Sequence, residues 1–132
     1  MKKFILIATL LSSSLFGDIN WNMGFNSAKA KAMREGKIMM LFVTQDGCRA
    51  CDYMKYATLE KESVLEELDR YFVPIQIHRD FLPPKTYIKG TPTFLFYKPS
   101  NGKRLKYRIL GGFKESVFLG KIQALRKALI KE

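Results

Sequence analysis

Apolar residues along this chain fall into short unbroken runs and into stripes at helical spacing, punctuated by glycine and proline. The run "KIMMLFVT" is apolar from Ile38 to Val43 without alternation and lies between Gly36 and Gly47. A short continuous run so bounded predicts a central strand buried on both faces. The preceding "NSAKAKAMREG" predicts a helix, with Asn26 or Ser27 able to cap its start, Ala28 and Ala32 on one face, and Gly36 able to stop it. After the strand, Cys48, Cys51, Met54, Tyr53 and Ala57 fit a helical stripe. A second helical piece is expected from Ser63, where "SVLE" has the form of a capping box: the Ser63 hydroxyl accepts from the Glu66 amide and the Glu66 side chain reaches back.

"FVPIQI", Phe72 to Ile77, predicts the next strand, which Pro74 assigns to the sheet margin or to a bulge. Pro83 and Pro84 make "RDFLPPKTYIKG" a loop. "TFLFYK" and "RLKYRIL" predict strands on either side of the turn signal "PSNG". In the second of these, Leu105, Tyr107 and Ile109 face one side while Arg104, Lys106 and Arg108 face the other, the pattern of an edge strand guarded against pairing with other chains. Gly111 and Gly112 break the strand, and a final helix carries Phe118, Ile122, Leu125 and Leu129 on one stripe. The first two strands, joined through a helix, should be parallel, and the last two should form an antiparallel hairpin. The expected class is α/β, a small mixed sheet of four or five strands with helices on both faces.

The N-terminus reads "MKKFILIATLLSSSLFG": two lysines, an apolar run too short for the roughly 20 residues a spanning helix needs, then small residues. That is the layout of a bacterial secretory signal, so residues 1–17 are expected to be cleaved, leaving a single domain over residues 18–132 in an oxidising compartment. The formal charge of +11 falls to +9 when Lys2 and Lys3 are removed. From Lys98 to Glu132 there are ten Lys or Arg against two Glu. Such a run is read first as a solvated face, and it can steer acidic partners.

The candidate chemistry sits in "LFVTQDGCRACDYMK", which holds both cysteines of the chain, Cys48 and Cys51. A structural staple is poorly placed here, because closing a loop of about four residues gives on the order of 2 kcal/mol against about 4.7 for a 100-residue loop. Zinc needs about four ligands, and beyond this pair the chain offers one histidine, His78, read as a surface or strand-end residue. Copper(I) stays open, since Met54 lies three residues past Cys51 and thiolates and thioethers are soft ligands. A redox pair accounts for more. Two cysteines three apart at a helix start lie within reach of a disulfide. The first sees free backbone donors and the positive end of the helix dipole, and Arg49 adds a positive charge, all favouring a thiolate. Asp46 and Asp52 partly oppose this field. Cys48 is therefore expected to be the nucleophile and Cys51 the resolving thiol.

With the buried strand before the cysteines and "GTPTFLFY" placing Pro92 41 residues after Cys51, followed by "NGKRLKYRILGG" and an amphipathic helix, the chain resembles the thioredoxin-like family, in particular its secreted or periplasmic thiol:disulfide interchange proteins. The resemblance covers roughly Asn20 to Leu129. It implies a cis Pro92 beside the cysteine pair, with the backbone of Thr91 exposed for strand-like pairing with a bound polypeptide and Gly90 allowing close approach. The sequence departs from the family at two points: Gly47-Cys48-Arg49-Ala50-Cys51 stands where many members have Trp-Cys-Gly-Pro-Cys, and Phe42 occupies the position of their buried acidic residue. Trp21 is read as a packing anchor.

The resemblance implies a periplasmic thiol:disulfide oxidoreductase acting on cysteines of substrate proteins, leaning towards the reductase or isomerase-support direction and restored by a membrane or periplasmic electron donor. No cofactor, metal, nucleic-acid partner or lasting membrane insertion is expected. The competing readings are a protein disulfide oxidase, a copper(I) carrier using the two thiolates, and a binding module using the Thr91 edge and the basic face.

Overall fold

The computed structural model describes residues 19–22 and 24–131. The expected leader, residues 1–17, lies outside the described residues. Helix α1 (Phe25–Glu35) leads into strand β1 (Ile38–Thr44). Helix α2 (Arg49–Tyr53) follows and continues as a π-helical segment, Met54–Thr58, before α3 (Glu62–Tyr71) and β2 (Phe72–His78). A 3-10 turn at Arg79–Phe81 opens the next loop, and β3 (Thr93–Tyr97), β4 (Arg104–Leu110) and α4 (Glu115–Leu129) complete the chain.

The four strands lie in the order β2-β1-β3-β4. β1 runs parallel to β2 and antiparallel to β3, and β3 to β4 is antiparallel, as the crossover and hairpin patterns predict. The absence of alternation in β1 has a direct cause. Ile38, Met40 and Phe42 enter the cluster beneath α2, α3 and α4, while Met39, Leu41 and Val43 enter the cluster with Ala28 and Ala32 of α1. Side chains of a strand alternate between faces, so a strand covered on both must be apolar throughout.

Pro74 is accommodated because β2 is an edge. Its carbonyl accepts from the Asn22 backbone N–H at 3.0 Å and from Asn22 Nδ2 at 3.1 Å, away from β1. The nitrogen of the same residue faces the same way, so its missing N–H removes no ladder bond. At the other edge, β4 buries Ile109 and leaves Arg104 and Lys106 exposed. α3 and α4 are joined by the ion pair of Glu67 and Arg126, 2.8 Å from Nε to Oε1, with the guanidinium 4.2 Å from the Tyr71 ring centre.

Two helix starts differ from the sequence reading. α1 begins at Phe25, ahead of Asn26 and Ser27, with Gly24 at φ 84 as its cap. The Phe25 ring packs edge-on to Tyr97 at 5.4 Å, and this tertiary contact brings the first turn forward. Gly36, left-handed at φ 66, ends the helix as expected. The capping box at Ser63 does not form: α3 starts at Glu62, and the Ser63 hydroxyl donates instead to Glu115 Oε1 at 2.7 Å, at the start of α4. A carboxylate brought in by the fold displaces a local amide as the partner.

Candidate active site

Strand register decides which residues meet. Thr44 pairs with His78, Val43 with Thr93, and Thr93 with Leu110, so the ends of β1, β2 and β4 and the start of β3 share one edge of the sheet. Cys48 follows β1 by four residues and Pro92 immediately precedes β3. The cysteine pair and the proline thus come to the same edge from opposite strand directions.

Gly47, at φ 69, makes the turn out of the β1 loop that a side chain would strain. Cys48 then takes an extended conformation as the cap of α2, and the Cys51 amide donates to its sulfur at 3.1 Å. The two cysteines are disulfide-bonded, with Cα atoms 5.2 Å apart. Their surroundings differ. Cys48 is half-buried, whereas Cys51 is 4% exposed and packs in the core with Phe42, Met54 and Phe118. Arg49 stands exposed at the first helical position, and Asp46 and Asp52 are exposed on either side of the pair.

The Thr91–Pro92 peptide bond is cis. Pro92 is buried and its carbonyl accepts from the Gly111 amide at 2.9 Å. The same loop reaches the redox helix. Gly112 lies against Ala50 and Tyr53, the Phe113 amide donates to Met54 Sδ at 3.2 Å, and the Phe113 carbonyl accepts from the Thr58 hydroxyl. The π-helical segment, closed by the Leu59 amide on the Met54 carbonyl at 2.8 Å, presents Met54 and Thr58 together to Phe113. Gly111 to Phe113 therefore ties the proline strand to the cysteine helix. The Met54 sulfur accepts this bond and is fully buried in the core.

Phe42 is fully buried in a continuous aromatic stack, 5.7 Å from Trp21 and 4.9 Å from Phe94, which in turn lies 4.9 Å from Phe118. Trp21 is a packing residue here, and the space behind Cys51 is apolar. His78 ends β2. Its Nδ1 accepts from the Asp80 amide at 3.1 Å, and its Nε2 faces Asp46 at 3.6 Å. Arg79 donates to Gln45 Oε1 at 2.8 Å.

These ties between the 3-10 turn and the loop before Cys48 escaped the sequence reading, as did the Met54–Phe113–Thr58 clasp. For the first, the adjacency of His78 and Arg79 to a strand end was the available signal. For the second there was none, since a π-helical segment has no residue signature. Thr91 Oγ1 is buried and has no hydrogen-bond partner among the described residues.

A family profile described as a thioredoxin-like domain matches residues 25–126. No curated protein matches the chain significantly. Among solved structures, the chain is similar to a thioredoxin from Thermus thermophilus, at 24% identity over 82% of this chain and 87% of that one, with a TM-score of 0.71. It is also similar to the reduced C-terminal domain of DsbD from Neisseria meningitidis, at 23% identity over 75% and 91%, TM-score 0.59. A third is the periplasmic thioredoxin SoxS from Paracoccus pantotrophus in its reduced form, at 22% identity over 69% and 97%, TM-score 0.54. At these identities the likeness is one of fold. No helix of the described residues is long and apolar enough to cross a membrane.

Proposed function

This chain belongs to the thioredoxin-like domain family, and from that premise we propose that it is a thiol:disulfide oxidoreductase acting on cysteines of other proteins in the periplasm. The observation that carries the reading is the asymmetry of the pair: Cys48 is half-buried and capped by an amide donor, while Cys51 is 4% exposed. A polypeptide substrate can reach only the first.

In the reducing direction, the Cys48 thiolate attacks one sulfur of a substrate disulfide and expels the other as a thiolate. Cys51, once deprotonated, attacks Cys48 Sγ in the resulting mixed disulfide. The substrate leaves with both sulfurs reduced and the pair is oxidised by two electrons. Donation from the Cys51 amide and the positive charge of Arg49 favour the thiolate on Cys48. With Phe42 behind the pair, the proton of Cys51 passes to water or another group rather than to a buried carboxylate in that position.

Thr91 and Pro92 are assigned to substrate binding through the main chain at the head of β3. A membrane or periplasmic thiol donor restores the dithiol. The secretory pattern of residues 1–17 and the likeness to a protein named as a periplasmic thioredoxin support the location. We assign the reductase or isomerase-support direction.

Reduction of insulin by the purified chain, compared with Cys48→Ser, tests the activity, and absence of turnover would end the proposal. The reduction potential of the pair in a glutathione buffer tests the direction. A value near −120 mV, that of a strong oxidant, would reverse it, whereas one near −270 mV, that of a reductant, supports it.

A further inference from the structure

The loop between β2 and β3 borders the disulfide edge and sorts its side chains in an unexpected way. Leu82 and Ile88 turn inward and pack on the cluster of α1 and the sheet. The residues just before each, Phe81 and Tyr87, point outward with 75% and 80% of their surface exposed. Large aromatic side chains gain most from burial, so two of them held in water beside a reactive pair mark a contact surface.

The loop is held firmly. Arg108 Nη1 of β4 donates to the Tyr87 carbonyl at 2.7 Å, the Phe81 ring stands edge-on to His78 at 6.2 Å, and the Thr86 amide donates to the Pro83 carbonyl at 3.2 Å. One end is tied to Gln45, three residues before Cys48, and the other runs through Gly90 into Thr91 and Pro92. Arg79, Lys85 and Lys89 are exposed along it, against Asp80 alone.

Resting on the exchange activity proposed above, we infer that this loop is a docking surface for the partner polypeptide, selecting segments in which a large apolar side chain is flanked by carboxylates close to the reacting cysteine. A rigid platform loses little conformational freedom on binding. Phe81 and Tyr87 supply the anchoring area, and the three cations set the sign of the partner's charge. The loop thus adds side-chain selectivity to a site whose main-chain pairing alone would discriminate little.

The test uses the reduced full chain, hydroxyethyl disulfide as a small neutral oxidant, and two peptide disulfides that share one phenylalanine near the cysteine and differ in carrying either aspartates or lysines beside it. At low salt the acidic peptide should react about tenfold faster or more, and the advantage should shrink as salt is added. Lys85→Glu with Lys89→Glu should reverse the preference. Phe81→Ser with Tyr87→Ser should slow both peptides through a raised KM and leave the reaction with hydroxyethyl disulfide unchanged. Equal wild-type rates for the two peptides, or variants slowed equally towards hydroxyethyl disulfide, would overturn the docking assignment alone. No exchange with any of the three would overturn the activity and this assignment with it.

Discussion

The amide of Cys51 donates a 3.1 Å hydrogen bond to the sulfur of Cys48, so the buried cysteine holds the accessible one through its backbone. A hydroxyl accepts the same bond, which separates folding from chemistry. Cys48→Ser should match the reduced chain in stability to within about 1 kcal/mol while exchange falls to background. Cys51→Ser should keep the attacking thiol and lose its release, so that a mixed disulfide accumulates to one per chain by intact-mass measurement. A Cys51→Ser chain that turns over would show the roles to be reversed.

Arg49 should act through charge alone. In the reduced chain, the alkylation rate of Cys48 against pH should move to higher pH in Arg49→Glu and by less in Arg49→Ala. The side chain is exposed and screened, so the change at neutral pH should stay within about tenfold. An unshifted profile would leave the helix start as the source of the effect.

Thr91 offers a test of main-chain recognition. Its hydroxyl is buried without a partner among the described residues, and valine has the same shape without the polar atom. Thr91→Val should raise stability by about 1 kcal/mol in urea unfolding. Exchange with a peptide disulfide should be unchanged if only the backbone of Thr91 engages the substrate. A large loss of rate would assign the hydroxyl a part in binding.

Glu67 and Arg126 have side chains only 7% and 15% exposed, so each depends on the other. Arg126→Met should destabilise the chain by about 3–5 kcal/mol by leaving a buried carboxylate unpaired. Adding Glu67→Leu should recover much of that loss. Urea unfolding of the two variants checks both, and a single variant as stable as the double would show that the pair is dispensable.

Burial pushes the phenols of Tyr97 and Tyr107 above their usual value near 10, and for Tyr97 Arg104 and Arg108 pull the other way. The unfolded chain therefore releases these protons first as pH rises. The stability associated with the neutral phenols is fully present below about pH 10 and is lost above it. Melting temperature should fall as pH rises above about 10, and Tyr97→Phe should flatten the fall; equal slopes in both proteins would refute the assignment.

The sheet was legible because its signals are local. The run Ile38–Val43, short and bounded by glycines, fits a strand covered twice, and Pro74 and the arginines of β4 each announced an edge. The Cys48–Cys51 disulfide was legible from the spacing of the pair, and the cis bond at Pro92 from the family resemblance. What escaped depends on contacts across the fold. Ser63 forsakes the amide of Glu66 for a carboxylate 52 positions away. Leu59 closes a wider turn than the α-helical stripe implies. Phe81 and Tyr87 look in the sequence as suited to the core as Leu82 and Ile88, and only the fold sends the aromatics outward and the aliphatics inward.

Asn22 on the Pro74 carbonyl bears on what happens when many copies of this chain, or of any unfolded chain, are crowded together. One rim of the sheet offers a proline with no donor and an acceptor already taken, and the other presents Arg104 and Lys106. Neither is a template on which a stray strand can grow into a filament. Under the proposed function, a partner polypeptide can therefore meet the chain at the disulfide edge without being added to its sheet.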